Sequence, residues 1–86
     1  MPRISEFYGI VIAMFYNDHE PPHFHAVYAE HRALIAIGSE DVLQGQLPRR
    51  ALSLVREWRS MHQQELMEDW RRARDHEPLR PVPPLD

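Results

Sequence analysis

Asn17 to Tyr28 reads N-D-H-E-P-P-H-F-H-A-V-Y, and it interrupts the apolar pattern of the chain. Asn17-Asp18 carries turn chemistry. Pro21-Pro22 holds the following loop extended, because each ring sets φ near about −65°. From His23 the period is two, which places His23, His25 and Val27 on one face and Phe24, Ala26 and Tyr28 on the other. That alternation predicts a strand over 23–29, entered from a rigid loop.

On the N-terminal side, Ile10 to Tyr16 is apolar throughout and rich in β-branched and aromatic residues. A run this short predicts a strand covered on both faces. Gly9 separates it from a short arm carrying Phe7 and Tyr8. On the C-terminal side, Glu30-His31-Arg32 predicts a tight connection, Ala33–Ile37 a third strand, Ser39-Glu40-Asp41 a turn, and Val42–Leu47 a weaker fourth strand containing Gly45. Strands joined so closely pair antiparallel.

After Leu47 the period becomes helical. Pro48 suits the first helical position, where its missing N–H costs nothing. Ala51, Leu54, Val55, Trp58, His62, Leu66, Trp70 and Ala73 then form one stripe. A straight helix over 48–75 would run about 42 Å, longer than the roughly 30 Å expected of so small a domain. It therefore protrudes, bends or breaks. Ser60-Met61-His62-Gln63 has the form of a capping box, which would start a second helix; the unbroken stripe favours one long, bent helix. If the helix protrudes, Leu66, Met67 and Trp70 would face a second copy, giving a homodimer. Residues 77–86 hold four prolines and predict an extended, loosely packed tail.

The expected architecture is α+β: a single domain over 1–86, with a small antiparallel sheet of three or four strands and a long C-terminal helix packed on one face. Ile10, Ile12, Leu34, Ile37, Leu54, Val55 and Trp58 are its expected core. The chain has 86 residues, 43% apolar and 27% charged, with a net charge of −3. That balance argues against a protein that coats nucleic acid. No Cys is present, which excludes disulfides and thiolate metal sites. No apolar run approaches the roughly 18 residues of a membrane span, and no signal-peptide pattern opens the chain. A cytoplasmic protein is the expectation.

His23 and His25 stand at i and i+2 on one strand, their roots some 6.5–7 Å apart, so two imidazoles can converge on one transition metal such as zinc. His19 or Asp18 from the loop would supply a third ligand, leaving an open position as in catalytic sites. The plain alternative is a polar strand face, with both histidines bonded to loop carbonyls and Asp18. Arg49 and Arg50 sit where cations oppose the helix dipole. Beside free backbone N–H groups they can bind a phosphate or carboxylate, although pairing with Glu40 or Asp41 is the simpler expectation. Trp58, Trp70 and His62 lie on the apolar stripe as packing residues. His31 and His76 read as surface residues. No nucleophile elbow or phosphate loop is present.

The run F-Y-G-I-V-I-A-M-F-Y-N-D-H-E-P-P-H-F-H-A-V-Y is followed by L-I-A-I-G, V-L-Q-G-Q-L-P-R-R-A-L-S-L-V-R-E-W and H-Q-Q-E-L-M-E-D-W. Together they resemble a family of small bacterial and archaeal proteins, number four thousand one hundred and sixty among the domains of unknown function. The resemblance runs from Ile4 to about Pro84 and implies no established activity. It does imply a companion small protein, since members are often encoded beside one in an arrangement similar to toxin–antitoxin pairs. The family's histidine element falls on His19, His23 and His25.

Three functions are therefore expected, in this order. The first is a small interaction module that binds a companion protein. The second is a metal-dependent hydrolase or nuclease using His19, His23 and His25. The third is a nucleic-acid-binding regulator using Arg49, Arg50 and Arg56, which the acidic net charge disfavours.

Overall fold

A computed structural model describes residues 2–86. Five strands precede one helix: β1 (Arg3–Phe7), β2 (Ile10–Ala13), β3 (His23–Tyr28), β4 (His31–Ala36), β5 (Val42–Gly45) and α1 (Arg49–Arg74). The strands form a single antiparallel meander in chain order. The architecture is the expected α+β, with one strand more than anticipated. The extra strand is β1, the arm before Gly9. Its R-I-S-E-F pattern is broken by an irregularity between Arg3 and Ser5, which hides the alternation.

Two-residue turns set the register. Tyr8 and Gly9 both take positive φ (51° and 78°) between paired Phe7 and Ile10, as tight hairpins require. Ala29 (φ 52°) and Glu30 close the next hairpin but one, between Tyr28 and His31. That turn falls one residue earlier than the sequence suggests.

Gly45 is a different case. Its φ is +76°, and a Cβ there would lie 2.2 Å from the Arg32 carbonyl oxygen. Gly45→Ala must push β5 away from β4, and we expect a loss of about 2 kcal/mol or more. Gly38→Ala, which meets nothing within 4 Å, should be nearly neutral. Urea denaturation of the two variants checks the contrast, and equal stabilities would contradict it.

The core lies between one sheet face and α1. Phe7, Ile10, Ile12, Phe24, Ala26, Ala33 and Ile35 supply the sheet side; Ala51, Val55, Trp58, Leu66, Trp70 and Ala73 supply the helix side. β2 is covered on one face by α1, while on its other face Val11 is half-buried and Ala13 fully buried; it ends at Ala13, and Met14 N–H donates to the Pro2 carbonyl (3.1 Å). Leu34 and Leu54, expected in the core, are only half-buried. Leu34 pairs with His25 and so shares its face, away from α1.

Pro48 is the residue before the helix (φ −55°, ψ 150°), and α1 begins at Arg49. The helix bends at His62, whose φ of −126° and ψ of 24° leave the helical region. This reconciles a 26-residue helix, about 39 Å if straight, with a molecule measuring 33 × 25 × 22 Å. Ser60 does not cap a second helix; its hydroxyl donates to the Glu57 carbonyl (2.7 Å).

The bend turns Leu66 and Trp70 inward, where both are buried within the chain. They are core residues and not a surface for a second copy; only Met67 of that trio is half-exposed. The tail is also packed, contrary to expectation. Val82 N–H donates to the Ile4 carbonyl (2.7 Å), the Trp58 indole N–H to the Pro83 carbonyl (2.8 Å), and Arg80 N–H to Asp69 Oδ1 (2.9 Å). Val82 and Leu85 are buried as a result. Among the described residues, no helix is long and apolar enough to cross a membrane.

Candidate metal centre

His23 and His25 enter the site from β3, on the face that the period of two assigns them. Asp18 enters from the loop before it. Asn17 takes positive φ (61°), and Asp18 Oδ1 accepts the His19 backbone N–H (3.1 Å), so the turn itself aims the carboxylate. The loop is tied down at both sides. Glu20 pairs with Arg74 at the end of α1 (3.1 Å), Tyr16 stacks on His76 at 6.3 Å and 4°, and the Pro22 carbonyl accepts Ile37 N–H (3.0 Å).

The remaining carboxylate oxygen, Asp18 Oδ2, lies 2.9 Å from His23 Nε2 and 3.0 Å from His25 Nε2. One ligand atom from each of the three residues falls within 4.8 Å of the others. His23 is 1% exposed and rests against Trp70, with ring centroids 5.2 Å apart. Phe15 meets His25 edge-on at 4.4 Å. Asp18 and His25 keep partial access to solvent, at 19% and 25% side-chain exposure, so the cluster is enclosed on the His23 side and open on the other.

His23 has a specific proton problem. Its Nδ1 lies 2.9 Å from the Pro21 carbonyl oxygen, which can only accept, so Nδ1 must carry hydrogen. In a neutral ring Nε2 is then a lone pair aimed at a carboxylate oxygen. That contact is favourable only if a second proton or a cation stands between them. An Nδ1–H donated to a backbone carbonyl, with Nε2 free to ligate, is the usual support of a metal-bound histidine.

Burial pushes the Asp18 pKa up, but the hydrogen bond from His25, the charge of His23, the His19 backbone N–H and the His23 hydrogen bond outweigh it. The carboxyl is held below its ordinary value of 3.8. Its stabilising contribution is therefore complete above the ordinary carboxylate range and disappears as pH falls through the lowered folded value. In metal-chelated protein, Asp18→Asn should cost stability at neutral pH, and the gap from wild type should close in strong acid. A gap independent of pH, measured by urea denaturation across the acid range, would contradict this.

The other sequence candidates fall elsewhere. His19 is exposed, with its ring 5.7 Å from that of His23 and its Nδ1 3.3 Å from the Glu20 carbonyl; it lies beside the three-atom cluster but outside it. Arg49 and Arg50 are exposed and form no ion pair among the described residues, so the expected pairing with Glu40 or Asp41 is not made. Arg56 instead reaches that turn, donating Nε–H to the Glu40 carbonyl (3.2 Å). Arg50 borders a pocket of about 270 Å³ walled by Tyr8, Ile10, Tyr28, Pro48, Ala51 and Leu54. His62 pairs with Glu65 (2.6 Å) at the helix bend.

The fold and site define a small α+β protein built around an Asp-His-His cluster. The chain belongs to the family described as a domain of unknown function, DUF4160, which matches residues 9–71. The matched span holds the cluster, the sheet from β2 onward and most of α1. No curated protein and no solved structure matches the chain.

Proposed function

We propose that this chain is a metal-binding protein whose Asp18, His23 and His25 hold one divalent transition ion, zinc being the simplest candidate. The observation that carries the reading is Asp18 Oδ2 within 3.0 Å of two imidazole nitrogens, one of which has its other nitrogen committed to the Pro21 carbonyl. Two histidines and a carboxylate suit zinc or ferrous iron, and three protein ligands leave coordination positions open. Those positions face the solvent side of Asp18 and His25. A metal held this way lowers the pKa of bound water, which is the chemistry of metal-dependent hydrolases and nucleases.

Elemental analysis of purified, untagged protein tests the reading. Near-stoichiometric zinc, iron, manganese or nickel is expected in wild type and should be lost in His23→Ala/His25→Ala. Metal absent from wild type, even after reconstitution, would sink it.

A second reading, an interaction module for a companion protein, is supported by β5. Its outer edge pairs with no strand among the described residues, and Val42-Leu43-Gln44-Gly45 carries neither charge nor proline to guard it. Co-expression and co-purification with the neighbouring gene product is its test; a companion that never co-purifies would argue against it.

A further inference from the structure

The sheet face turned away from α1 carries its own pattern. Glu6, Val11, Val27 and Arg32 are paired in one continuous row across β1, β2, β3 and β4. The next row on that face is Arg3, Ala13, His25, Leu34 and Gln44; Arg3 pairs with Glu6 of the first row at 3.6 Å, and Ala13 is already buried within the chain. Val11, Val27 and Leu34 are half-buried, yet none belongs to the core or packs against it. An apolar strip therefore runs over the middle of the face, with an acid at the β1 end of its first row and a base at the β4 end.

We propose that this face is an isologous interface, occupied by a second copy of the chain. A two-fold axis along the strands, between β2 and β3, exchanges β2 with β3 and β1 with β4. It lays the row Glu6–Val11–Val27–Arg32 over its own reverse. Each Glu6 then faces the partner copy's Arg32, and each Val11 faces the partner copy's Val27. The row is self-complementary in charge and in hydrophobicity, as a two-fold contact demands. With strands about 4.8 Å apart and sheets packing about 10 Å apart, Val11, Val27 and Leu34 of both copies occupy the space between. The face is small: the four overlapping strands cover roughly 300 Å² per copy, less than half of what a standard interface uses on each side. A weak, concentration-dependent dimer follows. Its interface would border the metal centre, because His25 lies in the second row.

Sedimentation velocity across a concentration series tests the proposal, with circular dichroism and thermal melts confirming that each variant folds. Both charged residues are exposed, so neither change should unfold the chain. Wild type should dimerise reversibly. R32E places acid against acid twice and should weaken association about tenfold or more. E6R/R32E restores opposite charges and should recover the wild-type constant. A wild-type protein that stays monomeric at every concentration would overturn the proposal and leave the face to a different protein. So would an R32E variant that dimerises as wild type does, or a double variant that fails to recover.

Discussion

Trp58→Ala should destabilise the protein by about 3–5 kcal/mol. Trp58 is completely buried. Its ring lies 5.3 Å from Phe7 and 5.7 Å, edge-on, from Phe24, so it joins β1 and β3 to the helix. Its indole N–H donates to the Pro83 carbonyl at 2.8 Å, so it also holds the tail. Truncating a buried tryptophan to alanine costs about 3–5 kcal/mol. A domain of this length has about 4–13 kcal/mol in total, and a small core cannot collapse to refill the space. Trp58→Phe separates the two roles. It keeps most of the volume but leaves the Pro83 carbonyl without its donor, and it should cost about 1–2 kcal/mol. Far-UV circular dichroism in urea reads both. A Trp58→Ala protein within about 1 kcal/mol of wild type would mean the core is not organised around this residue.

That core is legible in the sequence because its pattern is local. The stripe from Ala51 to Ala73 repeats at helical spacing, and the alternation in β3 alone is enough to put both histidines on one face. Asp18 is legible too, since a turn just ahead of a strand keeps its side chain near the strand's first residues. What escapes a reading of the sequence depends on contacts far apart in the chain. Arg59 and Asp69 look like ordinary polar positions on a helix, yet both are buried. Arg59 Nη1–H donates to the Ile37 carbonyl (2.7 Å), while Asp69 accepts from Arg72 (2.7 Å) and from the backbone of Arg80. Arg72 lies one turn along the same helix from Asp69, but Ile37 and Arg80 come within reach only when the helix packs on the sheet and the tail folds back.

The stripe at Leu66 and Trp70 reads in sequence as a surface for a second copy, yet both residues are buried within the chain, because the surface that covers them is built by the bend. The bend itself leaves only a partial trace. Ser60-Met61-His62-Gln63 marks the right place, but the hydrophobic stripe keeps its phase through it. His62 takes up the change in backbone while its ring stays beside Trp58, with centroids 5.7 Å apart.

Saturating zinc should raise the thermal midpoint by roughly 10 °C or more at neutral pH. A ligand that binds only the folded state at a hundredfold excess over its dissociation constant adds about 2.7 kcal/mol. In a domain of this size each kcal/mol moves the midpoint by about 4–8 °C. The effect should be large because the three donors are already assembled. Asp18 Oδ2 lies 2.9 and 3.0 Å from the two Nε2 atoms, and the His23 ring is clamped by Pro21 and Trp70, so little ordering remains to be done on binding. The sign of the pH dependence follows from the ligands. Zinc needs neutral imidazoles and an ionised carboxylate, so protons compete with the metal as pH falls. The midpoint shift should shrink as the solution is acidified. His25→Ala should abolish the shift at every pH. His19→Ala should keep it, because His19 stands outside the cluster. The opposite result for those two variants would move the metal to a different set of ligands. No shift in wild type with zinc, iron, manganese or nickel would mean the cluster holds a proton where a metal was inferred.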